Sequence, residues 1–152
     1  MSLTRADVEY ELVSRLAGLL TAAGMTTTTA GANASLNSSI GWAVRKVGGT
    51  VTSIALVTSV DVGTVADSDL DTFLDLAELR TREAIDGNFA DVDTDVGDLK
   101  LKYDQLRRAN ERAMERLRAI YGVTFGLTET VATLGSGVLA LGFQSVVTDA
   151  CL

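Results

Sequence analysis

The sequence has no histidine and no proline, and it has one cysteine among 152 residues. Without histidine, the chain cannot use an imidazole general base, a histidine-containing catalytic triad or histidine-ligated zinc. Cys151 alone cannot form an internal disulfide or a four-cysteine metal site. We therefore expect a chain that is intracellular or assembled inside a cell and has no cofactor. Carboxylate chemistry, lysine chemistry and oxygen-ligated metals are still open at this point.

Carboxylate and phosphate-binding chemistry are also disfavoured. The acidic pairs Glu9/Glu11 and Asp69/Asp71 are two residues apart on predicted helices, so their members point to different faces and do not form a paired acid/base site. Gly48-Gly49 is not followed by Lys-Ser or Lys-Thr, as a phosphate loop would require. The sequence therefore predicts that the protein is not an enzyme.

The charge balance, 13 basic against 20 acidic residues, gives a formal charge of −7. This argues against a protein that coats nucleic acid, because affinity for phosphate comes mainly from lysine and arginine. Since the chain has no proline, glycine and capping residues must set where its helices end. Its length is suited to one domain with a sizeable core.

Hydrophobic periodicity predicts a mainly α fold, a bundle of about four helices with one long C-terminal helix. The first and third helices begin with the capping boxes Thr4/Asp7 and Ser68/Asp71. Glycine follows the first, second and fourth helices. The predicted helices run from about Thr4 to Ala23, from a cap at Asn37, Ser38 or Ser39 to Val47, from Asp67 or Ser68 to about Ile85, and from about Val96 to Tyr121, with Gly24, Gly48-Gly49 and Gly122 as stops.

Two stretches between the helices are predicted to be irregular. Residues 25–36 are small and polar, which indicates a flexible loop. Residues 50–62 are β-branched and nearly uncharged, which favours a strand or an extended arm that reaches to about residue 65. The helical domain is expected to span residues 1–122, followed by an apolar tail at 123–152.

The tail has two alternative interpretations. Residues 130–147 carry no charge, which meets the minimum length of a membrane span. Three glycines interrupt any helical stripe, however, and Gly135-Ser136-Gly137 is typical of a hairpin turn. We favour a hairpin or extended tail, with no membrane contact, that docks on partner subunits. Its candidate interface residues are Val131, Leu134, Val138, Leu139, Leu141 and Phe143.

The long fourth helix carries seven of the 13 basic residues, which leave a charge of +4 over residues 99–121 against Asp104, Glu111 and Glu115. Arg108, Arg112 and Arg116 are four residues apart, so they line one face that suits an acidic partner surface or a nucleic-acid backbone. The alternative is a solvated face stabilised by the helix pairs Asp104–Arg108 and Glu115–Arg118. Leu99, Tyr103, Leu106, Asn110, Ala113, Leu117 and Ile120 form the expected packing seam.

Asp91, Asp93 and Asp95 invite comparison with a calcium loop. Val96 stands where that loop needs glycine, and Lys102 stands where it needs a bidentate glutamate. We therefore predict a solvated turn and no metal site.

Two stretches, NSSIGWAVRKVGGTV at residues 37–51 and DLDTFLDLAELRTREAIDGNFADVDTDVGDLKLKYDQLRRANERAMERL at residues 69–117, carry a resemblance. Their order is a short helix that ends in glycine, a helix with Asp-Leu-Ala-Glu-Leu-Arg at 75–80, a turn with Asn88 and the Val-Asp-x-x-Val-Gly pattern at 92–97, and a long charged helix. In this order the chain resembles the head-to-tail connector, or adaptor, proteins of tailed double-stranded-DNA phages. The resemblance covers residues 37–120.

The resemblance implies a structural virion protein at the head–tail junction, assembled in the host cytoplasm. Copies of it would form a ring, expected to be dodecameric, beneath the portal protein. The ring would extend the DNA channel and provide the attachment surface for a stopper or tail-completion protein, while DNA passes through with little specific binding. The alternatives are a small cytoplasmic helical interaction or regulatory module that uses the basic face of the long helix, and a membrane-active lysis protein inserted through residues 130–147.

Overall fold

The computed structural model describes residues 3–53, 55–90 and 97–127. In these ranges the chain forms five α-helices and one 3₁₀ turn and has no β-strand, which confirms the mainly helical class and the long last helix. The elements are α1 (Arg5–Ala22), α2 (Ala34–Lys46), α3 (Ser59–Val62), the 3₁₀ turn (Asp67–Asp69), α4 (Leu70–Ala90) and α5 (Gly97–Phe125).

Helix α1 begins and ends where its sequence predicts. The Thr4 backbone N–H donates to Asp7 at 2.9 Å, and the Thr4 hydroxyl accepts from the Asp7 N–H at 3.3 Å, so the capping box is complete. Gly24 follows the helix with a φ of 67°, the left-handed conformation that glycine adopts without strain. The buried stripe on α1 repeats every four residues and consists of Val8, Leu12, Leu16 and Leu20.

Helix α2 begins earlier than predicted. Its N-cap is Asn33, whose side-chain oxygen accepts from the Ser35 N–H at 3.0 Å. The proposed caps at Asn37, Ser38 and Ser39 are wrong, because these residues lie inside the helix. The predicted 25–36 loop is correspondingly shorter, since residues 34–36 are helical and Leu36 is buried in the core.

The segment predicted as a strand or extended arm, residues 50–62 and on to about 65, packs against the bundle through Val57, Val62 and Val65. Val57 is 1% exposed, and its N–H donates to the Asn37 side-chain oxygen at 2.7 Å. The Asn37 amide donates in turn to the Ala55 carbonyl at 2.9 Å. The last part of the predicted arm is helix α3, and Val62 and Val65 belong to the core. A β-branched run predicts extended backbone only locally, and the Thr58/Asp61 capping box overrides it here.

Helices α4 and α5 are both longer than predicted. The 3₁₀ turn Asp67–Asp69 precedes α4. Helix α4 continues past its predicted end at Ile85 to Ala90, because Ile85 and Phe89 extend its buried stripe. Helix α5 passes Gly122 and ends at Phe125, so residues 123–125 belong to the helix and not to the tail. Gly126 has a φ of 63°, and the Leu127 N–H donates to the Gly122 carbonyl at 2.8 Å, the bonding of a Schellman motif.

The core lies between α1, α2 and α4, and α5 packs on the outside against α4. The predicted seam of α5 is confirmed at Asn110, which is buried, and is wrong at Ile120, which is 55% exposed. Tyr121 faces the bundle in its place. A strict heptad repeat has 3.5 residues per turn, whereas a straight helix has 3.6, so the face that the repeat marks rotates slowly along the helix. A seam that faces the bundle at Tyr103 is therefore one residue out of place by the end of α5.

Candidate interaction surface

The three predicted arginines of α5 lie in solvent. Arg108, Arg112 and Arg116 are exposed, and none forms an ion pair with a described residue. Six other arginines pair with carboxylates, namely Arg5, Arg15, Arg80, Arg82, Arg107 and Arg118. The three α5 arginines are therefore available to a partner.

The two ion pairs predicted along α5 do not form. Arg107 lies 3.4 Å from Asp86 on α4 and 3.4 Å from Glu111. Arg118 reaches across to Glu83 on α4 at 2.9 Å and does not pair with Glu115. Packing on α4 thus selects partners that spacing within α5 alone does not reveal. The predicted charge of +4 does not count Asp98, which lies in α5, so the formal charge of the helix is +3, from seven basic and four acidic residues.

Two exposed apolar side chains continue the line of arginines. Ile120 is four residues beyond Arg116 and is 55% exposed, and Val123 is 88% exposed. We call Arg108, Arg112, Arg116, Ile120 and Val123 the α5 outer stripe. At 1.5 Å per residue it is about 22 Å long. Surfaces that combine arginine with exposed aliphatic side chains are typical of protein–protein interfaces.

A groove with a volume of about 480 Å³ runs along the stripe between α4 and α5. Arg112, Arg116 and Ile120 line its α5 side. The α4 side has mixed charge and is lined by Asp75, Glu78 and Arg82. The groove therefore presents a basic wall opposite a partly acidic one.

The α4 carboxylates of the groove already have partners. Arg15 from α1 lies 3.2 Å from Asp75 and 3.1 Å from Glu78, and Arg82 lies 2.7 Å from Glu78. Glu78 and Arg82 are four residues apart on α4, the spacing at which opposite charges pair along a helix. The Tyr121 hydroxyl donates to Asp75 at 2.7 Å, and burial together with the adjacent Asp75 carboxylate raises the pKa of Tyr121. Because these carboxylates are occupied, Arg112 and Arg116 have no intramolecular acid across the groove to pair with.

Asn110, the polar residue in the predicted seam, fixes the register of α5 on α4. It is fully buried, its amide donates to the Arg82 carbonyl at 3.0 Å, and its oxygen accepts from the Arg82 guanidinium at 3.2 Å. Sliding α5 along α4 would leave this amide buried without partners, which costs about 1–3 kcal/mol. The α5 outer stripe is thus held at a defined position along the bundle.

Sequence reasoning missed a buried polar network at the start of α1. Arg5 is 1% exposed, and its guanidinium lies 2.8 Å from the Glu9 carboxylate. It also donates to the side-chain oxygen of Asn37 at 2.7 Å, to the carbonyl of Asn33 at 2.9 Å and to the carbonyl of Val57. The network joins α1, the loop before α2, α2 itself and the segment before α3.

Glu9 completes the network from the loop side. Its carboxylate accepts from the Gly31 N–H at 2.6 Å and the Asn33 N–H at 2.8 Å, and Glu9 is fully buried. The sequence contains a signal for this arrangement, because Arg5 and Glu9 are four residues apart and flank Val8 on the apolar stripe. Opposite charges at that spacing on a core face indicate a buried pair.

A second buried carboxylate, Asp61, holds the segment before α3. It accepts from the N–H groups of Thr58 and Thr52, each at 2.7 Å, and from their hydroxyls at 2.8 and 2.7 Å. These four hydrogen bonds, led by the Thr58 N–H, hold the pKa of Asp61 well below its ordinary value. The carboxylate is structural, since its four acceptor positions are all used within the chain.

Several predicted features lie outside the described residues. Among the described residues, no group of three or more acidic or cysteine side chains is placed to hold a metal ion. Asp91, Asp93 and Asp95 fall in the stretch that the structure does not describe. None of the described helices is both long and apolar enough to cross a membrane. The predicted tail interface, Val131, Leu134, Val138, Leu139, Leu141 and Phe143, also lies outside the described ranges.

Comparison of the chain with protein-family models, with curated proteins and with solved structures gives no match.

Proposed function

We propose that this chain is a structural connector subunit that forms a ring at the head–tail junction of a tailed double-stranded-DNA phage. The observation that carries the proposal is the α5 outer stripe, a row of exposed arginines and aliphatic residues on a helix that packs against the bundle through its other face. A subunit of an assembly would bury such a stripe against its neighbour.

The elements that carry the sequence resemblance support the proposal by their arrangement. Residues 75–80 lie in α4 and residues 99–117 lie in α5, so they form one pair of packed helices. Asn88, expected in a turn, lies in the last part of α4. Helix α4 belongs to the core and α5 is the outer helix of this pair, so α5 is the element through which a ring subunit would meet its neighbours.

In this role the protein performs no reaction. The bundle provides a rigid body, and the nearly uncharged residues after α5 dock on the portal protein or on a neighbouring subunit. A stopper or tail-completion protein binds the opposite side. The net charge of −7 suits a channel that DNA passes through without being held, because phosphate contacts to basic side chains would retard it.

The test is electron microscopy of the purified full-length chain mixed with its cognate portal protein. We expect a closed ring, dodecameric if the resemblance holds, stacked coaxially on the portal with a continuous central channel. The portal alone and the chain alone serve as controls for particle size. A chain that remains a monomer or dimer in every mixture and never joins a portal ring contradicts the proposal.

A cytoplasmic interaction module is the second candidate. It is favoured by Arg108, Arg112 and Arg116, which form no ion pair within residues 3–53, 55–90 and 97–127. Such a module would bind an acidic protein through these arginines with one-to-one stoichiometry. It would not form a ring in the presence of portal protein. The particle size in the experiment above therefore separates the two functions.

A further inference from the structure

We infer that the α5 outer stripe binds a second copy of this chain, and that its docking site on that copy is the acidic turn at the start of α4. This inference rests on the proposed ring, because it assigns the contact between neighbouring subunits. It names the two surfaces that meet and the charges that hold them together.

The acidic turn consists of Asp67, Asp69 and Asp71, at the 3₁₀ turn and the first residues of α4. Asp67 and Asp71 are exposed and Asp69 is half-buried. None of the three carboxylates forms an ion pair with a described residue. Three carboxylates therefore stand unneutralised on one turn, as three guanidinium groups do on the α5 outer stripe.

The formal charge of the chain is negative before α5 and positive on α5. Residues 1–90 contain six basic and eleven acidic residues, a formal charge of −5, whereas α5 carries +3. Two copies that meet through α5 of one and the start of α4 of the other bring opposite charges together. Complementary charge of this kind orients partners and accelerates their encounter.

A second copy fits the stripe better than a nucleic-acid backbone does. Ile120 and Val123 continue the arginine line, and a protein partner buries such aliphatic surface whereas a phosphate backbone does not.

In a ring this contact is heterologous: the stripe of each copy binds the acidic turn of the next, and the contacts repeat until the rotation between neighbours closes the ring. Asp69 and Ile120 line one pocket of the same molecule, so a two-fold pair that matches stripe to turn in both directions is the alternative arrangement, and it stops at a dimer. The proposed function requires assemblies larger than a dimer, and an assembly that stops at a dimer contradicts the ring contact.

The test uses two charge-reversed variants of the full-length chain. One carries R108E, R112E and R116E, and the other carries D67K, D69K and D71K. Each variant alone opposes like charges in the contact, so we expect its self-association constant to fall about tenfold or more. An equimolar mixture pairs acidic stripes with basic turns and basic stripes with acidic turns, and we expect it to assemble as the unmodified chain does.

Sedimentation velocity over a range of protein and salt concentrations measures this association. We expect the unmodified chain and the mixture to assemble at low salt and to dissociate as salt is raised, because exposed charge pairs are screened. The control variant is R45E, which reverses an exposed arginine on α2 outside the stripe and should assemble normally. Circular dichroism and thermal melting confirm that each variant is folded. A second pair, I120S and V123S, should weaken assembly without changing its salt dependence.

The outcomes separate this inference from the proposed function. If the variants assemble as well as the unmodified chain, or if the mixture fails to assemble, the inferred contact is wrong. If the unmodified chain stays monomeric at every concentration and at low salt, the contact is also wrong. In each case the proposed function still stands if electron microscopy shows portal-bound rings, and falls if it does not. Association of the unmodified chain with duplex DNA but not with itself would overturn the choice of partner.

Discussion

At the scale of single residues, the Arg5–Glu9 pair connects α1 to three other segments of the chain. Its hydrogen bonds reach the loop at residues 31–33, helix α2 and Val57. Both charges are fully desolvated, and a buried pair gains little net free energy over a well-packed apolar pair. Its value here is specificity, because only one arrangement of these segments satisfies every donor and acceptor.

We predict that Arg5→Met lowers the free energy of unfolding by about 3–5 kcal/mol, because it leaves the buried Glu9 carboxylate without its cation. Urea unfolding at neutral pH measures the loss. Arg45→Met removes an exposed arginine and is the matched control, for which we expect a change within about 0.5 kcal/mol. A loss below about 1 kcal/mol for Arg5→Met would show that the buried network does not hold these segments together.

Asp61 predicts a dependence of stability on pH. Its pKa is lowered in the folded chain, so the folded state binds this proton less readily than the unfolded state does. The resulting stabilisation is complete above the unfolded pKa of about 3.9 and is lost as the pH falls through the lower folded value. The free energy of unfolding of the unmodified chain, measured with urea, should therefore decrease below about pH 4.

The variant Asp61→Asn should lose about 2–4 kcal/mol at pH 7, because it replaces a carboxylate that accepts four hydrogen bonds. Its stability should also fall less steeply below about pH 4. Asp67→Asn, at an exposed carboxylate, should leave both the stability and its pH dependence nearly unchanged. If the free energy of unfolding changed with pH in the same way for Asp61→Asn and the unmodified chain, Asp61 would not be the source of the pH dependence.

At the scale of elements, local signals predicted both ends of α1, but they failed at the start of α2 and at the end of α5. The Thr4/Asp7 capping box fixes the start of α1 and Gly24 fixes its end, and each signal lies within one helical turn of the end that it determines. Helix α4 runs past Ile85, however, because Phe89 finds a place in the core and packs edge-on against Tyr103. The turn-forming composition of residues 86–88 does not outweigh that burial.

The extension of α4 gives a prediction at Gly87. A Cβ at this helical position would meet nothing within 4 Å, so Gly87→Ala should raise the free energy of unfolding by about 0.5–1 kcal/mol. If the segment were a turn, as its composition suggests, alanine would not stabilise it. Thermal melting and urea unfolding measure the change.

Gly49 provides the contrasting substitution. A Cβ there would lie 2.7 Å from a methyl group of Val44 and 2.8 Å from the Thr64 hydroxyl. We expect Gly49→Ala to lower the free energy of unfolding by about 1–3 kcal/mol, because the neighbouring backbone must shift. Equal effects of the two alanines would show that their different surroundings do not matter.

At the scale of the whole molecule, the described residues form one buried core. The buried cluster runs from Val8 to Phe89, and Tyr103, Tyr121 and Phe125 of α5 border it. Residues 128–152 lie outside the described ranges. The core of the bundle can therefore be tested separately from the tail.

We predict that the chain truncated after Leu127 still unfolds cooperatively, with a melting temperature within a few degrees of that of the full-length chain. Differential scanning calorimetry and far-ultraviolet circular dichroism measure this. In the proposed connector the same truncation should weaken binding to the portal, because the predicted docking residues are removed. Loss of cooperative unfolding on truncation would show that the tail is part of the folding unit.

The sequence by itself determined the helical class, the first helix and the line of arginines on α5, because periodicity, capping and i,i+4 spacing act within a few residues. It also excluded histidine chemistry through composition alone. Only the tertiary structure decided that Arg5 and Glu9 are buried, that Arg107 and Arg118 pair across to α4, and that Arg108, Arg112 and Arg116 have no ion-pair partner among the described residues. These outcomes depend on which segments meet in space, and burial there outweighs local preference.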